Sequence, residues 1–573
     1  MKVIQLKIKS VTIENYRSHK KTTVNLRNYN LITGPNSSGK SNLFSAILCF
    51  YNYKGIKFVE SKDGSKFTVG QMSRIIVDYD LGPKDGDVRE LFKLEADVNF
   101  LSISCDLNKM EYACKTKPAI KKGDILKFLK KTKIIFIPAI PDNSETFKLT
   151  GPSLMREALT DILKEIWDKS PEANIINEEM TTLLSKLNGT TSNNGISPRI
   201  ISEKINESIG KVNLSLRFDV KPIDFTTIIS SVYNVAVTDR ILQDDIDPSV
   251  ISTGQMKYLF YSLIRVLKDM NLESSGECQE NPLKFLIFEE PEAFLHPSNQ
   301  LSLAETMRNL SKSEEWQFAL STHSPYFVSK EIAHMQDIIR IERDEHGVSS
   351  VYQINDEQFS YLKDNNEFIT HIKQLKNNPD HPINNDLEGK INTIIKKHDS
   401  GLDEFMYNLY LNSERSRLFL SNKVIICEGI SDKILIDHFI KVMGEKYISD
   451  IYVLECNGKY DITRYMKVLN YFGIKHCIIY DTDSDKDSSK NLSVNLNQYI
   501  EDSINRDSGS FVDSLCFEPN LEKENSFFIT KEGDLKSDEK PLYLIKMIEE
   551  NNIPNLETVQ LKITNLIEKL YNS

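Results

Sequence analysis

Twice between residues 424 and 485 the chain runs through an apolar stretch that stops abruptly at carboxylates. The first, VIICEGISDK (424–433), delivers Glu428 and Asp432; the second, CIIYDTDSD (477–485), delivers Asp481, Asp483 and Asp485. Short, continuous apolar runs of this kind suit strands buried on both faces, as in a parallel sheet covered by helices. Such a sheet collects its strand ends at one edge, so acids that follow two strands converge on one crevice. Carboxylates held there suit Mg2+, a hard ion with oxygen ligands, and the pattern reads as a metal site for phosphodiester chemistry. Asp485 and Asp487 read as loop solvation.

Far upstream, residues 34–41 are GPNSSGKS, preceded by a strand-like 29–33 and followed by a helical 40–52. Gly34 and Gly39 let the backbone, with Asn36 between them, wrap a phosphate, and the helix opening at Lys40 adds its positive end. Lys40 is placed to reach the β- and γ-phosphates of ATP, and Ser41 to offer Mg2+ a hydroxyl. Further on, FLIFEEPEAFLHP (285–297) is a buried strand ending in Glu289 and Glu290, followed by Pro291 and Glu292. Glu289 reads as holding the Mg2+ shell and Glu290 as polarising the attacking water. In ALSTHSP (319–325) His323 follows another short strand and is read as a γ-phosphate sensor.

Bulk properties bound the rest. At 573 residues the chain is expected to form two to four domains, and 40% hydrophobic with 27% charged residues is the composition of a soluble globular protein. No apolar run approaches membrane-spanning length, and MKVIQLKIKS alternates like a strand, so a cytoplasmic protein is expected. Eight scattered cysteines without a CxxC pair argue against structural zinc and a disulfide framework. A net charge of −11 argues against a protein that coats DNA; the most basic stretch, 115–133, reads as a solvated helix and loop ahead of a DNA contact.

The fold class expected is α/β. Residues 3–13 and 22–33 alternate as strands, and 150–210 reads as a helical insertion, with Leu154, Ala158, Ile162 and Ile166 on one face and strand alternation from Val212 to Val220 behind it. From about 354 to 400 the chain turns polar, which suits a linker or a small subdomain. Strands at 423–427, 450–454 and 476–480 alternate with helical 432–443 and 459–471, the rhythm of a second parallel sheet. The boundaries expected are 1–355 for a nucleotide-binding domain, 356–420 for the polar segment and 421–573 for the acid-bearing domain.

The P-loop, ISTGQ (251–255), the EEPE string and His323, in that order and after SVTIENYRSHK (10–20), resemble the ABC-type ATPase heads of the SMC and RecF group. ISTGQ resembles their signature motif. The resemblance implies that Ser252, Gly254 and Gln255 contact ATP held by an opposite subunit, so the protein at least dimerises. Thr253 stands where a glycine is usual and Glu289 where an aspartate is usual.

The strand ending in Glu428-Gly429 and the one ending in Asp481-Thr482-Asp483 resemble a Toprim domain, Rossmann-like in its parallel sheet. A Toprim domain after an ABC head resembles the OLD (overcoming lysogenization defect) nucleases over nearly the whole chain, with SERSRLFLSNKVIICEGISDK (413–433) as the entry to the second domain. That resemblance implies metal ligation by Glu428, Asp432, Asp481 and Asp483, a second metal shell completed by Glu522 of Leu521-Glu522, and stabilisation of the scissile phosphate by Lys540 of Lys540-Pro541. It implies an ATP-regulated endonuclease cutting DNA with two Mg2+ or Mn2+ ions, as in bacterial anti-phage systems, with a helicase or a reverse transcriptase as a possible partner and no membrane. Two other classes compete: a non-cleaving ATP-driven sensor or clamp, and a topoisomerase or primase. A topoisomerase needs a tyrosine nucleophile on a separate domain, for which a chain of this length leaves little room.

Overall fold

The computed structural model describes residues 6–140 and 283–573, apart from short breaks and the segments 400–414, 522–528, 535–538 and 551–555. Between 141 and 282 it describes only 250–259 and scattered positions, so the insertion read at 150–210 and the strand at 212–220 lie almost wholly outside the described residues. Two compact units are present: Met1–Ile134 with Asn281–Glu292 and His296–Ser573, and Ile135–Glu280 with Ala293–Leu295.

The first unit opens with β1 (Lys7–Tyr16), β2 (His19–Asn25), β3 (Tyr29–Thr33) and α1 (Lys40–Phe50). Next come β4 (Arg74–Asp80), β5 (Phe100–Asp106), β6 (Glu111–Cys114), α2 (Lys122–Leu129) and β7 (Thr132–Ile137). An antiparallel sheet has the order β2-β1-β4-β5-β6, and Ile8, Val11 and Ile13 of β1 face its core. The lysine-rich stretch forms α2 and its flanks, with Lys115, Lys121, Lys122, Lys127 and Lys130 exposed.

The second sheet carries the nucleotide motifs. Its later elements are β8 (Leu283–Glu289), α3 (Pro297–Ser311), β9 (Trp316–Ser321), β10 (Ile338–Arg343) and β11 (Ser349–Tyr352), in the order β11-β10-β3-β9-β8-β7. β8, β9, β3 and β10 run parallel, with Phe288 beside Leu320, Leu320 beside Leu31 and Ile339 beside Ile32. Every residue of β3 and β9 is buried, as the apolar runs require. Gln317 joins the two sheets: its side chain accepts from the Ile8 N–H (2.9 Å) and donates to the Ile8 carbonyl (2.8 Å). A buried amide thus completes the backbone bonding of β1.

The polar stretch from 356 folds as three helices, α4 (Asp356–Asp364), α5 (Asn366–Lys376) and α6 (Asn385–Asp399). Beyond them lie β12 (Lys423–Cys427), α7 (Ile430–Met443), β13 (Ile451–Glu455), α8 (Ile462–Tyr471), β14 (Lys475–Asp481), α9 (Leu492–Arg506), β15 (Phe511–Phe517), α10 (Lys540–Glu549) and α11 (Leu556–Tyr571). The third sheet is parallel throughout, in the order β13-β12-β14-β15. Ile425, Cys477 and Ile479 pack under α7 and α11 in its core. Phe368, Ile369 and Ile372 of α5 and Leu387 and Ile391 of α6 share a smaller core with Leu492, Leu496 and Tyr499 of α9. The segment forms a helical layer.

The hairpin β10–β11 touches both parallel sheets. The guanidinium of Arg340, fully buried, donates to the Phe472 carbonyl (3.1 Å) and the Ser421 carbonyl (3.4 Å) of the acid-bearing half. Tyr352 lies so close to Gly473 that a Cβ there would sit 2.4 Å from its ring. On the other side of the same hairpin, the Ser349 hydroxyl donates to the Ser38 carbonyl of the phosphate loop (2.6 Å).

Candidate active sites at two sheet edges

The chain leaves β3 at Gly34, whose φ of +135° no side chain adopts readily, and a Cβ there would lie 2.0 Å from the Ile341 carbonyl oxygen. Gly39, at φ +115°, is equally enclosed by the Ser349 and Ser18 hydroxyls. Lys40 opens α1 and is buried, its ammonium donating to the Gly34 carbonyl (2.9 Å) and the Pro35 carbonyl (2.8 Å). Burial lowers its pKa to about 8, against the opposing pull of the Glu290 and Glu292 carboxylates. Asn36 and Ser41 are exposed on the loop and the first helical turn.

The text before the loop forms its collar. Tyr16 shares a hydrogen bond with Ser45 of α1 (2.8 Å), and Arg17 pairs with Asp63 (2.7 Å) and donates to Asn42 (3.2 Å). Ser18 accepts from Asn42 (2.8 Å), and His19 Nε2 meets the Gly39 carbonyl (3.1 Å). Because that carbonyl can only accept, Nε2 carries the proton. Burial lowers the pKa of His19 to about 4, so the ring is neutral near pH 7.

Glu289 ends β8 opposite Ser321 of β9. Glu290 follows at φ +44°, a left-handed conformation that costs a glutamate strain, and its N–H donates to the Ser321 carbonyl (2.9 Å). Glu292 receives the His323 N–H on one oxygen (2.6 Å) and the Thr322 hydroxyl on the other (2.8 Å). Desolvation, then the Lys40 ammonium, lowers the pKa of His323, with Glu290 opposing. Lys40, Glu290, Glu292 and His323 are therefore one electrostatic neighbourhood. Glu292, which the EEPE string leaves without a role of its own, is the acid that fixes the His323 backbone.

In the second unit, Ser252 and Gln255 form a reciprocal cap. Gln255 Oε1 accepts from the Ser252 N–H (3.1 Å) and hydroxyl (3.0 Å), and the Gln255 N–H donates back to Ser252 Oγ (3.2 Å). The S-x-x-Q spacing is that of a capping box. A Cβ on Gly254 would lie 2.4 Å from the Phe294 carbonyl oxygen, so a glycine is needed there for packing alone.

At the edge of the third sheet, Glu428 follows β12 directly and Asp481 ends the neighbouring β14. The Asp481 N–H donates to Glu428 Oε1 (2.7 Å), and the Leu521 N–H donates to Asp481 Oδ1 (3.0 Å). Burial, with Asp481 and Asp483 adding like charge and Lys459 opposing, raises the pKa of Glu428 to about 7. Asp432 caps α7 by accepting the Gly429 N–H (3.0 Å). Asp483 is buried at φ +55°, with one oxygen on Lys459 (2.8 Å) and the other on Lys486 (2.5 Å). Lys540 opens α10, which packs on α7. Glu522 lies outside the described residues, next in sequence to the Leu521 that bonds Asp481.

Lys459 was not singled out from the sequence, where it is one lysine in the turn CNGKYD after β13. Among the described residues no three ligand side chains gather closely enough to hold a metal ion. Glu428 and Asp481 nevertheless offer hard oxygen donors in a crowded anionic pocket, a donor set that fits a divalent cation.

These two edges define a P-loop ATPase fold joined to a Toprim-type parallel sheet. The chain belongs to the AAA ATPase domain family, whose profile matches residues 6–328, and it carries an overcoming lysogenization defect protein-like TOPRIM domain, matched over 419–483. It is 24% identical over 519 residues to Endonuclease GajA of Bacillus cereus (strain VD045), covering 85% of this chain and 76% of that protein. It is 23% identical over 511 residues to the Old nuclease of Escherichia phage P2, covering 83% of this chain and 77% of that one. A solved SMC head bound to the C-winged helix domain of ScpA aligns with 61% of this chain and 98% of its own, at 17% identity and a TM-score of 0.36. No helix among the described residues is long and apolar enough to cross a membrane.

Proposed function

We propose that this protein is an ATP-controlled, divalent-metal-dependent endonuclease that acts on DNA. The observation that carries the reading is the pair Glu428 and Asp481, acids at adjacent parallel strand ends, with the Asp481 backbone N–H donating to the Glu428 carboxylate (2.7 Å), within the same compact unit as an intact phosphate loop. The nuclease names of both relatives support it.

Glu428, Asp432, Asp481 and Asp483 would hold Mg2+ or Mn2+, with Glu522 completing a second metal shell. A divalent ion bound there supplies positive charge to a phosphodiester and makes water a better nucleophile. Lys540 steadies the scissile phosphate. At the other edge the backbone of Gly34 to Gly39, with Asn36, and Lys40 and Ser41 bind the nucleotide phosphates. Glu289 supports its Mg2+, Glu290 orients the attacking water and His323 faces the γ-phosphate. Ser252, Gly254 and Gln255 complete the nucleotide site of a second copy, so the working form is at least a dimer. The hairpin β10–β11, bonded to the phosphate loop through Ser349 and to the Toprim half through Arg340, is the physical route for nucleotide control.

The domains of this reading are 1–355 for ATP, 356–420 for the helical layer and 421–573 for cleavage. A cytoplasmic anti-phage role, with a helicase or reverse transcriptase as partner, rests on the resemblance to the OLD nucleases. Supercoiled plasmid incubated with the protein in Mg2+ or Mn2+, with and without ATP, tests the reading. Nicking or linearisation that EDTA and Asp481→Ala both abolish is the expected result. Intact plasmid in every lane would favour a binding-only sensor.

A further inference from the structure

The phosphate loop is bonded by a residue 311 positions further along the chain, outside every nucleotide motif of the sequence. Ser349 opens β11 and is 3% exposed. Its hydroxyl donates to the Ser38 carbonyl (2.6 Å) and lies 2.8 Å from the Ser18 hydroxyl. Its backbone is tied to the same collar, with its N–H on the Ser18 carbonyl (2.8 Å). The Ser38 carbonyl can only accept, so at that distance it takes the Ser349 proton. Gly39 makes room for the contact, since a Cβ there would lie 2.4 Å from Ser349 Oγ.

The consequence lies in the geometry of the peptide bond. In a planar trans peptide the C=O of one residue and the N–H of the next point in opposite directions. Fixing the Ser38 carbonyl therefore fixes the direction of the Gly39 N–H. The following peptide is fixed in the same way. The Gly39 carbonyl accepts from His19 Nε2 (3.1 Å) and from the Leu43 N–H (3.0 Å), which sets the Lys40 N–H. Neither of these two N–H groups has a hydrogen-bond partner among the described residues. Both lie at the start of α1, where N–H groups without an intrahelical acceptor collect, and in a P-loop such groups cradle the α- and β-phosphates.

A loop punctuated by glycine samples many backbone orientations when nothing holds it, and a ligand that must order it binds more weakly. Lys40 holds the Gly34 and Pro35 carbonyls with the same ammonium that reaches phosphate, so those two bonds are exchanged when nucleotide arrives. The Ser349 bond comes from a neighbouring strand and involves no group that the phosphate needs. We propose that Ser349 is a positioning residue of the nucleotide site, whose hydroxyl fixes the Ser38–Gly39 peptide so that the Gly39 N–H is aimed at phosphate before nucleotide binds. The inference rests on the reading of this loop as an ATP site.

Calorimetric titration of the full-length protein with MgADP, beside steady-state ATP turnover, tests it. Ser349→Ala should weaken MgADP about tenfold and raise KM for ATP by about the same factor, with kcat within about threefold, because the α- and β-phosphates are common to both nucleotides. Ser349→Cys, nearly isosteric but a weaker donor, should weaken MgADP about fourfold. Gln353→Ala is the control. It removes the two bonds to the Asn25 backbone (2.9 and 2.7 Å) that tie the end of the same hairpin to β2 away from the loop, and should leave MgADP affinity within about twofold. A Ser349→Ala or Ser349→Cys variant that keeps its circular dichroism spectrum and binds MgADP as the unaltered protein does would overturn the proposal. So would a Gln353→Ala variant that loses as much affinity as Ser349→Ala, since general support from the hairpin would then account for the effect. If the unaltered protein binds no MgADP, the ATP-site reading falls and the role of Ser349 falls with it.

Discussion

The nucleotide edge and the Toprim edge are assembled from the same parts: parallel strands, acids just past their ends, an acid in left-handed backbone and an enclosed lysine. They differ in what the lysine touches. Among the described residues Lys40 bonds the weakly charged carbonyls of its own loop, at 2.9 and 2.8 Å, with Glu290 and Glu292 acting through space. Lys459 lies directly on a carboxylate. A lysine resting on carbonyls exchanges them for phosphate at little electrostatic cost, whereas one ion-paired in an enclosed pocket is a fixed part of the site. The glycines differ in the same sense. Gly34 is needed because a neighbouring strand crowds it at φ +135°, but Gly429, beside Glu428, is extended at φ −142° with its nearest neighbour, Asp432 Oδ2, 3.8 Å from a Cβ. In the proposed function the first edge receives an anion on its backbone and the second a cation on its side chains.

The largest effect that would break this comparison is at Lys40. Replacing it with alanine should reduce ATP turnover by more than about 100-fold while leaving Mn2+ binding at the Toprim edge intact. Loss of both in a protein that still melts cooperatively would deny that the two edges are separate sites.

The glycines come next. Gly34→Ala should cost on the order of 4 kcal/mol, through left-handed strain and collision with Ile341, and Gly429→Ala less than about 1 kcal/mol. Denaturant midpoints of the two variants measure the contrast, and equal losses would erase it.

Acid should weaken both halves alike. His19 beside the phosphate loop and His476 at the start of β14 are buried, which lowers both pKa values to about 4. Above pH 6.5 neither ring is charged in either state. Between 6.5 and 4 the unfolded chain takes up protons that the folded chain refuses, so stability falls as pH falls, by up to about 3 kcal/mol per histidine. Thermal melts of His19→Gln and His476→Gln across that window should each show a shallower decline. A smaller effect, about 2 kcal/mol, is expected for Arg340→Met, which removes the bonds to Phe472 and Ser421. The response of cleavage to ATP should shrink several-fold in that variant, and an unchanged response would place the coupling elsewhere.

Much of this was legible in the sequence because it is local. β3, the phosphate loop and α1 follow one another within 22 residues, and the strands ending in Glu428 and Asp481 fall within a residue or two of their apolar runs. What was missed depends on contacts between distant residues. Lys459 meets Asp483 from 24 positions away and Asn497 from 38. The segment 356–399 reads as a linker or a small subdomain because three of the eight buried residues of its core, Leu492, Leu496 and Tyr499, belong to α9, more than 90 residues on. Ser349 braces the phosphate loop from 311 residues away. The capping box at Ser252 and Gln255 is readable from its S-x-x-Q spacing.

The central claim is that one chain carries two chemically separate reaction edges. Its most direct test is to measure Asp481→Asn in parallel for ATP turnover and for plasmid cleavage in Mn2+. The account predicts that cleavage is lost while ATP turnover stays within about twofold, because Asp481 is bonded to Glu428 and Leu521 of the Toprim half. Cleavage that survives the substitution, or ATP turnover that falls with it, would contradict the account.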